Sequence, residues 1–210
     1  MSNIEEIIFI IDDESEVRDA ISLYLTADDY IVETYSSSEE YLARETWQGT
    51  GCLILDVNLT GKSGVDLQEE LFAMNSHIPV IFITGQANIP LSVQTVKKGA
   101  VNFLEKPFRL EVLMQSIQEA LLLSRKLKSE KDDTVKACKL IETLSEKELA
   151  ILKYFINGML NKQIASELSI SEQTIKHHRI SICTKLGVKS VPEIIRIADK
   201  AGITPAEKKY

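Results

Sequence analysis

The chain has 210 residues, of which 44% are hydrophobic and 26% charged, with a formal net charge of −7. This is ordinary globular composition, and with no apolar run near the ~20 residues of a membrane span it excludes a disordered chain and a helical membrane protein. The charge is uneven: residues 1–124 hold 20 acids against 7 bases, 125–144 hold 4 against 6, and 145–210 hold 7 against 11, so an acidic front precedes a basic back, the pattern of two domains of which the second meets a polyanion.

In chain order, the start Met1-Ser2-Asn3-Ile4-Glu5-Glu6 is acidic where a secretory leader is basic. Residues 7–11, 52–55 and 80–83 are apolar without alternation, as parallel strands covered on both faces are. Residues 31–35 and 101–104 are weaker strand candidates at matching intervals. Between the first two strands Val17, Ala20, Ile21, Tyr24 and Leu25 repeat at helical spacing. A helix is expected over 108–124, with Val112, Leu113, Ser116, Ile117, Ala120 and Leu121 inward. Strands alternating with helices predict an α/β, doubly wound, five-stranded parallel sheet over residues 1–124.

Residues 124–133 are charged, lack a core pattern and lack Gly and Pro, and the segment 125–143 reads as a solvated, partly helical linker. Residues 144–210 read as a small all-α domain. Ser145-x-x-Glu148 is a capping box opening a helix with Leu149, Leu152, Tyr154 and Phe155, ended by Gly158. A short helix over 161–168, a tight turn at Ser169-Ile170 and a longer helix from Ser171 to about 186, closed by Gly187, follow the helix-turn-helix plan. Ile164, Leu168, Ile170, Ile175 and Ile182 are its expected centre, and Ser190 caps a last helix with Val191, Ile194, Ile195 and Ala198 apolar. Cys52, Cys138 and Cys183 are scattered without C-x-x-C spacing, as in a reduced, cytoplasmic protein.

Polar residues punctuate the strand ends: Asp12-Asp13 after the first, Asp56 after the third, Thr84 after the fourth, and Glu105-Lys106-Pro107 after the fifth. In doubly wound sheets these ends gather at one edge. Three carboxylates there repel one another unless a cation neutralises them, and a small oxygen-ligand cluster suits Mg²⁺ (or Mn²⁺). With Lys106 as a fixed charge, the set can receive a phosphoryl group on a carboxylate nucleophile. Each part alone is more often a loop or a helix cap; the joint pattern carries the reading.

Asp12-Asp13-Glu14, Asp56-Val57-Asn58-Leu59-Thr60-Gly61-Lys62-Ser63-Gly64, Thr84-Gly85 and residues 99–108 resemble the receiver domains of two-component response regulators over roughly residues 4–122. The resemblance implies a flavodoxin-like fold in which Asp56 accepts phosphate from a sensor histidine kinase. Asp13, Asp56 and the carbonyl of Asn58 would hold Mg²⁺, with Asp12 acting directly or through water. Lys106 would pair with the phosphoryl oxygens, Thr84 would swing in to bond the phosphoryl group, and Phe103 would turn into the vacated space. The Lys106–Pro107 bond would be cis. A face made by the fourth helix, fifth strand and fifth helix, including Val93, Val96, Lys97 and Phe103, would make a homodimer on phosphorylation. One departure stands out: the family usually has Pro where this chain has Thr60, a change read as loosening a turn without removing a chemical group. Asp56-x-Asn58-x-Thr60 also approaches the signature of haloacid-dehalogenase-type phosphatases, but Asn58 cannot supply their general acid/base.

Residues 161–165, 169–179 and 185–190 resemble the LuxR-type helix-turn-helix of the NarL/FixJ group, across residues 144–202, with Ser169 where the family often has Gly. The partner implied is double-stranded DNA, with RNA polymerase beyond it. Counting from inward Ile175, Gln173, Lys176, His177 and Ile180 face outward; Lys176 and His177 are the expected base readers, and Ile180 is placed near a thymine methyl. Lys162, Thr174, Arg179 and Lys185 are placed for phosphates. His178 matches a family position and reads equally as structural or contacting.

The sequence is thus read as a phosphorylation-gated transcription regulator and not an enzyme. Two alternatives stay open at this point: a DNA-binding protein whose receiver only dimerises, and a phosphatase-like hydrolase using Asp56.

Overall fold

The computed structural model describes residues 6–85 and 99–206. It contains two compact units, residues 1–129 and 130–210. Val93, Val96 and Lys97, expected on a dimer face, lie outside the described residues.

In the first unit, strands β1 (Glu6–Ile11), β2 (Ile31–Tyr35), β3 (Thr50–Asp56), β4 (Val80–Thr84) and β5 (Asn102–Glu105) form a five-stranded parallel sheet in the order β2-β1-β3-β4-β5. Among the described residues the helices of this unit are α1 (Ser15–Ala27), α2 (Ser38–Ala43), α3 (Gly64–Ala73) and α4 (Leu110–Ile141), the last running past the unit's boundary. The non-alternating apolar strands have two cores to feed. Phe9, Leu53, Leu55 and Phe82 pack with Tyr41, Leu67 and Leu71 of α2 and α3. Their strand neighbours Ile8, Ile10, Ile54, Ile81 and Ile83 pack on the other face with Ile21 and Leu25 of α1 and Leu113, Ile117 and Leu121 of α4. Period-2 strand geometry thus divides one apolar run between two layers. β2, at the sheet edge, is less covered, and Ile31 is half exposed.

Three positions expected inside are on the surface: Ala20 and Tyr24 of α1 and Val112 of α4. Each lies at the margin of its apolar stripe, and the stripe in contact is narrower than the helical repeat alone indicates. α4 also outruns its expected end near residue 124. Leu110–Ile141 contains neither Gly nor Pro, so no residue in it breaks the helix once formed. Ser124 and Arg125, where the charged stretch begins, are anchored to the sheet. Ser124, fully buried, accepts the Gly51 N–H at 3.0 Å, and Arg125 forks onto Glu6 with two contacts of 2.7 Å.

The second unit gathers the end of α4 with α5 (Glu146–Ile156), α6 (Asn161–Glu167), α7 (Glu172–Leu186) and α8 (Val191–Lys200). Ile141, Ile151, Leu152, Phe155, Ile164, Ile175, Ile182 and Ile194 fill its core. The Ser145/Glu148 capping box is formed, Ser171 accepts the Thr174 N–H, and Gly187 closes α7 at φ 67°. Ile170 is an exception, 39% exposed where a core residue was expected. The turn before α7 closes through the Ile170 N–H on the Ala165 carbonyl at 3.0 Å, with Ser169 at φ 54°, and this leaves Ile170 at the surface.

Candidate phosphoacceptor pocket and DNA-reading surface

The pocket is built by strand ends. Asp12 follows β1, Asp56 ends β3 and Thr84 ends β4, and all three are buried. Lys106 follows β5, where its N–H donates to the Thr84 carbonyl at 2.7 Å and the Lys106–Pro107 bond is cis. The Lys106 ammonium lies 2.8 Å from Asp12 Oδ2, 3.1 Å from Asp56 Oδ1 and 3.1 Å from Glu14 Oε1. One cation therefore faces three carboxylates. Burial alone would lower the Lys106 pKa, but Asp12, Asp56 and Glu14 outweigh it and raise it. Burial pushes the Asp56 carboxyl above the usual range, against the opposing pull of Lys106.

Asp56 is held from its own loop as well. Asn58 donates its N–H to Asp56 Oδ2 at 2.7 Å and its side-chain amide to Thr84 Oγ1 at 3.3 Å. Gly64 makes the turn possible: a Cβ there would sit 2.2 Å from the Asp56 carbonyl oxygen. Phe103, half-buried on β5, packs against Phe82 with ring centroids 6.2 Å apart.

Asp12, Asp56, Lys106, Thr84 and Asn58 are thus brought together. Asp13 is exposed at the rim, where its Oδ2 accepts both the hydroxyl of Thr60 at 2.6 Å and its N–H at 3.2 Å. The Thr60 hydroxyl leads the influences that hold the Asp13 carboxyl below its usual range. Among the described residues no three acidic, His or Cys side chains are already grouped as a metal site: Asp12, Asp56 and Glu14 close on Lys106, and Asp13 closes on Thr60. The donor set still suits a hard divalent cation, since it offers carboxylate oxygens and a backbone carbonyl with a surplus of negative charge over Lys106. Sequence reasoning missed Glu14 as a Lys106 partner and Thr60 as a donor. Glu14 adjoins the acid pair, and a hydroxyl four residues past the acceptor was a visible signal.

In the second unit, α7 presents Lys176, His177 and Ile180 to solvent, with Ile180 60% exposed, while Ile175 and Ile182 are buried beneath. Lys176 sits 3.4 Å from Glu172, and His177 lies 3.2 Å from Gln173, both one turn back. Lys162 of α6 is exposed; Arg179 is half-buried. Two expected phosphate contacts have internal partners. Thr174 Oγ1 is 2.8 Å from the capping Ser171 Oγ, and Lys185 Nζ is 2.6 Å from Glu148 Oε2.

Residues 8–118 match the response regulator receiver domain, and residues 142–198 match the family of bacterial regulatory proteins, luxR family. The chain is 38% identical over 200 residues to the response regulator protein TodT of Pseudomonas putida, covering 95% of this chain and 88% of that one. It is 34% identical over 199 residues to the transcriptional regulatory protein FixJ of Rhizobium meliloti, covering 95% and 98%. The structure of the response regulator StyR superposes with a TM-score of 0.80 at 35% identity, over 93% of this chain and 99% of that one. Matched in both units and along nearly the whole length of such relatives, the chain belongs to the two-component response regulators, with a receiver domain followed by a LuxR-type helix-turn-helix that binds DNA to regulate transcription.

Proposed function

We propose that Asp56 accepts a phosphoryl group from the phosphohistidine of a sensor histidine kinase, and that this gates DNA binding. The observation that carries the reading is Lys106, whose ammonium lies within 3.1 Å of both Asp12 and Asp56 beyond the carboxyl ends of the strands. A carboxylate oxygen of Asp56 would form the new O–P bond as the P–N bond to histidine breaks, with the electron pair returning to the imidazole. Lys106 holds Asp56 in place beforehand and meets phosphoryl charge afterwards. Asp13, Asp56 and the Asn58 carbonyl would hold Mg²⁺ (or Mn²⁺), with Asp12 directly or through water; the ion supplies neutralisation of charge on the transferring group. Thr84 would leave its contact with Asn58 to bond the phosphoryl group, and Phe103 would follow. Asn58 uses its N–H and amide to hold neighbours and has no proton to cycle, which supports a stored acyl phosphate over a turnover hydrolase.

The change in Asp56 would shift a pre-existing equilibrium toward a homodimer that sets two DNA-binding domains on a pseudo-palindromic site and engages RNA polymerase, in the cytoplasm. We assign residues 1–124 to the receiver, 125–143 to a linker and 144–210 to the DNA-binding domain. Lys176, His177 and Ile180 would read base edges, with Lys162, Thr174 and Arg179 on phosphates; Lys185 we assign to holding α7 through Glu148. Incubation with Mg²⁺ and acetyl phosphate tests the acceptor by intact mass. The expected result is a gain of one phosphoryl group that Asp56→Ala abolishes without unfolding. An undiminished gain in that variant would sink the assignment.

A further inference from the structure

The β3–α3 loop carries Thr60 where the receiver pattern has Pro, and the structure gives that difference a role. Both Thr60 donors, the hydroxyl at 2.6 Å and the N–H at 3.2 Å, converge on the same oxygen of Asp13. A proline offers neither donor. Thr60 is itself held: just beyond it, buried Ser38 donates its hydroxyl to the Lys62 carbonyl at 3.0 Å, and the Lys62 N–H donates to Glu39 Oε1 at 3.3 Å. The chain of contacts therefore runs from α2 through the loop to Asp13. Asp13 is solvent-exposed, and an exposed carboxylate without such partners samples several rotamers that a metal must select among.

We propose that Thr60 is a positioning residue for the divalent cation, fixing Asp13 through one oxygen so that the carboxylate is presented to the ion in one orientation. The inference rests on the reading of Asp13 as a metal ligand. Loss of a partner that orients a metal ligand commonly costs about ten- to a hundredfold in metal affinity. Thr60 supplies one bond by its side chain and one by its backbone, and the two separate cleanly: Val at 60 removes the hydroxyl alone, Pro removes both, and Ser keeps both.

The test is titration of the full chain with Mn²⁺, with free Mn²⁺ counted by electron paramagnetic resonance, on the wild type and on Thr60→Val, Thr60→Pro, Thr60→Ser and Asp13→Asn. Thr60→Val is expected to raise the Kd about fivefold and Thr60→Pro by tenfold or more, with Thr60→Ser restored to within a factor of two. Circular dichroism verifies that each variant is folded, and the Ser variant separates loss of a hydrogen bond from general damage to the loop. A Kd in Thr60→Val equal to or below that of the wild type overturns the proposal, provided Asp13→Asn abolishes binding. If the wild type itself binds no Mn²⁺, or if Asp13→Asn binds as tightly as the wild type, the metal-ligand reading falls and takes this inference with it.

Discussion

Lys185 and Glu148 join the recognition helix α7 to the first helix of its unit, with the ammonium 2.6 Å from a carboxylate whose side chain is 5% exposed. Ser181 donates to the other oxygen of Glu148 at 2.6 Å, so two residues of α7 hold one acid of α5. Removing Lys185 leaves that carboxylate short of its counter-charge. Because Lys185 is 37% exposed, Lys185→Ala is expected to destabilise the second unit by about 2 kcal/mol, less than the 3–5 of a fully buried pair. Urea denaturation followed by circular dichroism checks it.

The same lysine gives a contrast in DNA binding. Lys162→Ala is expected to weaken binding to any sequence and to reduce the slope of log affinity against log salt by about 1, as loss of one phosphate contact does. Lys185→Ala is expected to leave that slope unchanged in the fraction that remains folded. Lys176→Ala should instead flatten the preference at one base position by about 1–3 kcal/mol. Fluorescence anisotropy with duplexes at several salt concentrations separates the three.

Acid should loosen this unit in a defined window. Burial alone would raise the Glu148 carboxyl, but the hydrogen bonds from Lys185, Ser181 and Ser145 outweigh it and bring the pKa from 4.5 to about 2. A carboxyl lowered on folding contributes stability that is whole above its unfolded value and lost as pH falls toward the folded one. The second unit should therefore hold down to roughly pH 4.5 and lose this contribution between there and pH 2. Glu148→Gln should be less stable near neutral pH and flatter across that window, as read by thermal unfolding at stepped pH.

Asp56 has the opposite sign. Its carboxyl is raised by burial in the folded chain, so its ionised form opposes folding at neutral pH. Asp56→Asn should leave the first unit's Tm unchanged or raise it, while abolishing phosphoryl uptake. A clear fall in Tm would mean that the Lys106 pair outweighs the desolvation of Asp56.

Ser169 stands at φ 54°, a left-handed conformation that strains a residue with a Cβ by roughly 1–2 kcal/mol. Ser169→Gly relieves it and gains backbone freedom when unfolded, so a net stabilisation of about 0.5–1 kcal/mol is expected. Differential scanning calorimetry would register this as a modest rise in Tm.

Much of this was legible because long, consistent patterns determine it. Three apolar runs and two weaker strand candidates at matching intervals imply the parallel sheet, and strand-end residues must share an edge whatever their side chains do. The turn residues Ser145, Ser171 and Gly187 likewise set the helix limits. What stayed hidden depends on single contacts. Ile170 fits an apolar pattern, but the Ser169 turn decides its exposure. Lys185 has the charge for a phosphate, and only three-dimensional placement shows Glu148 beside it. Thr60 looked like a loss of stiffness relative to Pro because composition does not show where a hydroxyl lands.

The unbroken helix α4 has a consequence for hydrogen exchange. Its buried residues lie at two places, Leu113 to Ser124 and then Ala137 and Ile141, with no buried residue between Ser124 and Ala137. A free helix frays from its tips and keeps its centre longest. Here the tips are each fastened into a core, whereas the middle turns bury no residue and Asp133 among them pairs at the surface with Lys200. Deuterium should enter α4 from the centre outward, so that the segment joining the receiver domain to the DNA-binding domain is the first part of the helix to open.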